Sequence, residues 1–173
     1  MIILGIDPGT AITGFGVIET LGNRLKLLDY GCIRTEAGVL LEHRLEKIYQ
    51  GLSLLIDRWQ PKEVAIEELF FNKNTRTALT VGHARGVIFL AAAHKNVAIQ
   101  EYTPLQVKQS VVGYGRADKH QVQYMVKTIL NLSTLPKPDD AADALAIAIC
   151  HAHSRRTDKK ISQKERSSFD KLY

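Results

Sequence analysis

"MIILGIDPGTAITGFGVIETLGNRLKLLDYGCIRT", residues 1–35, decides the fold. "MIILGID" is a short apolar run that stops at the turn signal "PGT", which reads as a buried strand. "ITGFGVIE" and "LKLLDYGCIRT" read as a second and a third strand, separated only by "PGTA" and "TLGNR". Connections this short join antiparallel neighbours, so the three are expected to form a meander. The period then changes. Leu41, Leu45, Ile48, Leu52, Leu55, Ile56 and Trp59 share one face of a helix over 41–59. "EVAIEE" is a buried strand, "LFFNKN" a loop, and 75–95 a long helix in which Gly82 and Gly86 lie one turn apart. "NVAIQEY" is a fifth strand. "TPLQVKQSVV" opens a helix with Thr at the cap and Pro at the first helical position. "GYGRADK" is a loop, and 119–131 an amphipathic helix with Val122, Met125, Val126, Ile129 and Leu130 inward. Pro136 and Pro138 break the chain before a last helix at 139–153. The order βββ-α-β-α-β-α-α-α implies an α/β fold: a five-stranded mixed sheet, three strands antiparallel and then two parallel, with helices on both faces. Residues 1–154 are expected to be one domain and 155–173 a basic, disordered tail.

Composition narrows the function. The chain has 173 residues, 45% of them apolar and 24% charged, the balance of a globular protein with a sizeable core. No apolar run reaches the length of about 20 residues that a membrane helix needs, and the N-terminus lacks the basic start of a signal peptide. Cys32 and Cys150 stand far apart, in no metal or redox spacing. A reducing, cytoplasmic setting is expected. The net charge of +5 is unevenly spread: residues 72–131 hold eight basic and two acidic side chains. A polyanion partner fits that middle segment, and so does an ordinary charge-mixed surface.

The chemistry lies in the acids. "DDAADALAIAI", residues 139–149, is almost pure Ala, Leu and Ile around carboxylates. A helix apolar nearly all round is buried, and a buried carboxylate needs a partner. Asp140 and Asp143 are three apart, on one helical face; Asp139 is expected to serve as the N-cap. Asp7 ends the first strand and Glu67 the fourth. If those strands are neighbours and the last helix packs on that sheet end, four carboxylates converge. They would repel one another unless a hard divalent cation joined them. Two Mg²⁺ ions about 3.5–4 Å apart would clamp the attacking and leaving oxygens of a phosphodiester. Taken singly, Asp7 is equally a turn cap and Glu67 more often an exposed strand-end acid. It is the joint arrangement that favours a metal.

"GIDPGTAITGFGVI", "AIEELFFNKN", "ARGV", "VKQSVVGYGRADKHQV" and "DDAADALAIAI" resemble, in order and spacing, the RuvC-type Holliday junction resolvases over residues 2–153. The resemblance implies a ribonuclease H-like fold and a homodimer that needs Mg²⁺ or Mn²⁺. It implies paired nicks across a four-way DNA junction, in recombination and repair, that leave ligatable 5′-phosphate and 3′-hydroxyl ends. It also implies cooperation with a branch-migration helicase complex of the RuvA–RuvB type. The family's acidic tetrad falls on Asp7, Glu67, Asp140 and Asp143, its loop aromatic on Phe70, and its DNA-contacting lysines on Lys108 and Lys119. Phe71 is a second aromatic without an assigned role. Independently of the resemblance, both lysines lie in the basic middle segment, where they suit phosphate contacts. An exposed Phe70 could stack on an unpaired base. Lys73 and Arg76 could line the same groove. Paired nicks suit a two-fold dimer, with "VIFLAAA" (87–93) either its interface or ordinary core. The histidines read as surface or packing residues. Two other readings stay open. "GIDPGT" resembles the phosphate loop of actin-like phosphotransferases, but those need two such domains. A noncatalytic nucleic-acid-binding module would explain the lysines but gives no reason to bury Asp143.

Overall fold

The computed structural model describes residues 1–68 and 75–169, without the side chains of 75–77 and 156–169. Strands β1 (Ile2–Asp7), β2 (Ile12–Leu21), β3 (Arg24–Arg34), β4 (Glu63–Glu67) and β5 (Ala98–Tyr102) form one sheet in the order β3-β2-β1-β4-β5. The meander β1–β2–β3 is antiparallel, and β4 and β5 add to it in parallel, with Ile6 beside Ile66 and Glu67 beside Tyr102. The expected mixed sheet is therefore present. The helices are α1 (Leu41–Trp59), α2 (Thr75–His94), α3 (Pro104–Val112), α4 (Lys119–Ile129) and α5 (Asp139–Phe169).

Strand alternation sorts two cores. Leu4, Ile6, Val17, Val64 and Ile66 point to one face and pack with Ile48, Leu52 and Ile56 of α1 and with Ala84, Ile88, Ala91 and Ala92 of α2. Ile3, Ile18 and Ala65 point to the other, under α3, α4 and α5. Helices thus cover both faces. The same parity sends Asp7 and Glu67 to the α5 face, because each lies an even number of residues from Ile3 or Ala65.

The centre of α5 is almost wholly enclosed, with Ala141, Ala144, Leu145, Ala148 and Ile149 at 0% exposure. It can lie this close because the strands beneath it carry glycine. A Cβ on Gly5 would stand 2.7 Å from the Ala148 nitrogen, and one on Gly16 would stand 2.9 Å from the Leu145 Cα. A Cβ on Gly14 would run into the carbonyl of Asp140. Gly14 is also the register partner of Asp7, so this close approach brings the start of α5 over the end of β1. Gly14→Ala should lift that helix and cost about 1–3 kcal/mol, the usual range for overpacking. Urea unfolding of the variant checks this, and an unchanged midpoint would contradict it.

Two expectations need correction. First, the last helix runs to Phe169 instead of ending at 153. Residues 139–169 contain no Gly or Pro, so nothing local ends the helix. Second, Asp139 is not the cap. The amides of Ala141 and Ala142 both donate to the Pro138 carbonyl, which makes Pro138 the first acceptor, while the Asp139 carboxylate meets other elements. "VIFLAAA", read as either interface or ordinary core, contributes Ile88, Ala91 and Ala92 to the core, while Leu90 is 48% exposed. The α3 start is as expected, with Thr103 capping the Gln106 amide and Pro104 following. An analogous box, Asp118 with Gln121, starts α4.

Candidate active site

Five elements meet at the carboxyl ends of β1 and β4. Asp7 and Glu67 come from the strands, Lys108 from α3, Lys119 from α4 and Asp143 from α5, and all five line one cavity. Val107, Val122 and Ala146 form its apolar wall. Asp140 lies one turn before Asp143 and outside that lining, but its charge acts on both Asp7 and Asp143. Loops beyond the carboxyl ends of parallel strands are where open α/β sheets bind ligands.

The site is over-supplied with negative charge. Burial, reinforced by the charges of Asp143, Glu67 and Asp140, pushes the Asp7 carboxyl up to about 7, against the opposing pull of Lys119. Burial and then Asp143 push Glu67 up to about 6, while Lys108 and Arg85 oppose. Burial also raises Asp143, although Lys119 works the other way. Lys119 Nζ lies 3.2 Å from Asp143 and 3.3 Å from Asp139. Partial burial draws its own pKa down, but those two acids hold it above the usual lysine value. The expected DNA-contacting lysine is therefore also the counter-ion of a site carboxylate. Asp139 accepts as well from Gln123 Nε2 at 2.9 Å, which together with Lys119 holds its carboxyl low.

Among the described residues, no three Asp, Glu, His or Cys side chains stand close enough together to form a ready-made metal cage. The carboxylates interact through their fields and through Lys119. The donor chemistry nonetheless fits a hard divalent cation. It offers only carboxylate oxygens, and burial together with mutual repulsion raises the pKa of three of the four acids, which a bound cation would offset.

The structure brings Asp7, Glu67, Asp143, Lys108 and Lys119 together and sets Asp140 beside them. Phe70, Phe71 and Lys73 lie outside the described residues, and Arg76 is described only in its backbone within α2. Sequence reasoning missed two neighbours. Arg85 of α2 donates to the Glu67 carbonyl and pairs with Glu101, with its guanidinium 5.5 Å from the Phe89 ring centroid. It thereby ties the end of β4 to α2. The signal available was a lone arginine inside "HARGVIF", a stretch otherwise free of charge apart from a histidine. Cys32 of β3 lies within the field of Asp140 and accepts from the Ala141 amide. Nothing in its local sequence marks it.

Carboxylates gathered at the strand ends of a ribonuclease H-like sheet, under a helix bearing more of them and beside lysines, define a class: nucleases that hydrolyse phosphodiester bonds. Comparison with known proteins narrows it. The family model described as "Crossover junction endodeoxyribonuclease RuvC" matches residues 3–151. The crossover junction endodeoxyribonuclease RuvC of Desulforamulus reducens is 65% identical over 152 residues, covering 88% of this chain and 93% of that protein. That of Alkaliphilus oremlandii is 64% identical over 154 residues, covering 89% and 94%. Among solved structures, T. thermophilus RuvC in complex with Holliday junction substrate superposes with a TM-score of 0.88 at 37% identity, over 91% of this chain and 96% of that one. The chain belongs to the RuvC family of crossover junction endodeoxyribonucleases.

Proposed function

We propose that this protein resolves four-way DNA junctions by paired, symmetric, metal-dependent hydrolysis, in recombination and repair. One observation carries the reading: Asp7, Glu67 and Asp143 share a single cavity with Lys108 and Lys119. Asp7, Glu67, Asp140 and Asp143 would hold the metal. A bound pair of Mg²⁺ ions, or Mn²⁺ in their place, supplies charge neutralisation at the phosphate and acidifies the attacking water. The protein's own groups do the rest. Lys108 and Lys119 draw the phosphate in by charge. The wall of Val107, Val122 and Ala146 limits bulk water, which strengthens each electrostatic contact inside. Water oxygen bonds to phosphorus, the bond to the 3′-oxygen breaks and that oxygen takes a proton, leaving a 5′-phosphate and a 3′-hydroxyl.

Paired nicks call for a homodimer. Leu79 and Leu90, 66% and 48% exposed, flank Gly82 and Gly86 on α2, and open space surrounds both glycines. That stripe suits close packing of α2 on its two-fold mate. Phe70, Lys73 and Arg76 would contact DNA, and a branch-migration helicase complex would be the partner. Residues 1–154 would make up the nuclease domain and 155–173 a basic extension. A cytoplasmic setting accords with these roles; among the described residues no helix is long and apolar enough to cross a membrane.

The test is nicking of a synthetic four-way junction with and without Mg²⁺. Symmetric, ligatable nicks that need the metal are expected. Equal cutting of linear duplex, or cutting in EDTA, would refute the proposal. Lys108→Ala should weaken junction binding across all sequences and reduce the slope of log affinity against log salt by about 1. Fluorescence anisotropy across a salt series measures this, and an unchanged slope would remove Lys108 from the phosphate contacts.

A further inference from the structure

His151 is 1% exposed, sits far along α5 from the carboxylates and has no part in the chemistry above. It nevertheless joins three elements. Its Nε2 lies 2.5 Å from Glu63, the first residue of β4, and its Nδ1 lies 2.7 Å from the hydroxyl of Tyr102, the last residue of β5. Arg155, one turn further along α5, also pairs with Glu63. The proton positions follow from the partners. Neighbouring Arg155 and His151 keep the Glu63 carboxyl low despite its partial burial, so Glu63 is ionised and can only accept. Nε2 therefore carries the hydrogen. Burial pulls the His151 pKa down, leaving a neutral ring whose Nδ1 accepts from the Tyr102 hydroxyl.

The placement of this cluster matters more than its stability. Glu63 and Glu67 are the two ends of β4, about 13 Å apart at the usual rise of a strand. Asp143 and His151 are eight residues apart on α5, about 12 Å at the usual rise of a helix. The two spans are nearly equal, stiff and oppositely directed. Pinning His151 to Glu63 at one end sets which turn of α5 faces Glu67 at the other. Tyr102 completes the brace: it stands beside Glu67 in the sheet, and its carbonyl accepts from the Glu68 amide at 2.8 Å. On the β1–β2 side the helix is seated by Gly5, Gly14 and Gly16. On the β4–β5 side no such glycine floor exists, and the His151 cluster takes its place.

We propose that His151, held between Glu63 and Tyr102, is a positioning residue that sets the spacing of Glu67 and Asp143 and thereby tunes the cation affinity of the site. This rests on the metal reading of the acidic cluster. The test titrates the full-length protein with Mn²⁺, following free Mn²⁺ by electron paramagnetic resonance below the unfolding temperature. Tyr102→Phe removes one oxygen and leaves the ring. It should raise half-saturating Mn²⁺ by about tenfold, in line with other supporting shells of metal sites. His151→Leu should do the same. Junction affinity in EDTA should stay as in the unaltered protein, because neither residue lines the cavity that Lys108 and Lys119 line. Should His151→Leu fail to fold, Tyr102→Phe decides alone. If Tyr102→Phe binds Mn²⁺ as the unaltered protein does, the brace is only structural and the proposal is overturned. If the unaltered protein binds no Mn²⁺, or Asp7→Asn binds it equally well, the metal reading fails and takes the proposal with it.

Discussion

Asp143→Asn should bind four-way junctions as well as the unaltered protein and cut them about 10³-fold more slowly, a loss of about 4 kcal/mol of barrier lowering. The asymmetry follows from what Asp143 touches. Its carboxylate lines the cavity and is 3.2 Å from Lys119. Replacing it with an amide takes away an oxygen anion that a cation would use, so hydrolysis suffers. It also releases Lys119 from an ion pair, and a freed ammonium attracts phosphate at least as well as a paired one. Binding should therefore hold or tighten slightly. Single-turnover cleavage and anisotropy on the same junction separate the two effects. A variant that cuts within tenfold of the unaltered rate, or that loses binding, would show that Asp143 is a structural anchor of α5.

Asp7→Asn should be inactive yet more stable than the unaltered protein in EDTA at neutral and alkaline pH. The Asp7 carboxyl is raised from 3.8 to about 7 by burial and by Asp143, Glu67 and Asp140. Between those two values the folded chain retains a proton that the unfolded chain has released. Stability from this group is therefore full below about pH 4, falls as pH rises toward 7 and is level above it. A tenfold difference in acidity between the folded and unfolded chains corresponds to about 1.4 kcal/mol. Relaxation of neighbouring side chains reduces that, so a gain of about 1–3 kcal/mol for the amide at pH 8 is expected, and almost none at pH 4. Glu67, raised to about 6, adds a slope of the same sign that the variant retains in part. Mg²⁺ should restore stability to the unaltered protein through binding and do little for the variant. Thermal unfolding at pH 4 and pH 8, with EDTA or Mg²⁺, reads all of this. A variant less stable than the unaltered protein at pH 8 in EDTA would mean that Asp7 is already compensated inside the fold.

Much of the site was legible because periodicity dictates facing. The short apolar runs ending at Asp7 and Glu67 read as buried strands, and a parallel β1–β4 pair sets those two acids side by side. The three-residue step from Asp140 to Asp143 places both on one side of α5. The rest was hidden because it depends on which long-range neighbour satisfies a polar group. Lys119 looked like a solvated phosphate contact but bridges Asp139 and Asp143. Asp139 looked like a cap but turns to Gln123. His151 looked like packing, and its partners Glu63 and Tyr102 lie far away in the chain. Arg85 could be assigned only once β4 was seen to end against α2.

By itself, the order of residues determined the elements, their succession and the acids that terminate strands, since these follow from side-chain period and turn chemistry within a few residues. Tertiary structure alone decided that the start of α5 comes down upon β1. That contact joins segments far apart in the chain, and it exists because Gly5, Gly14 and Gly16 leave room for a helix backbone where any side chain would hold it off.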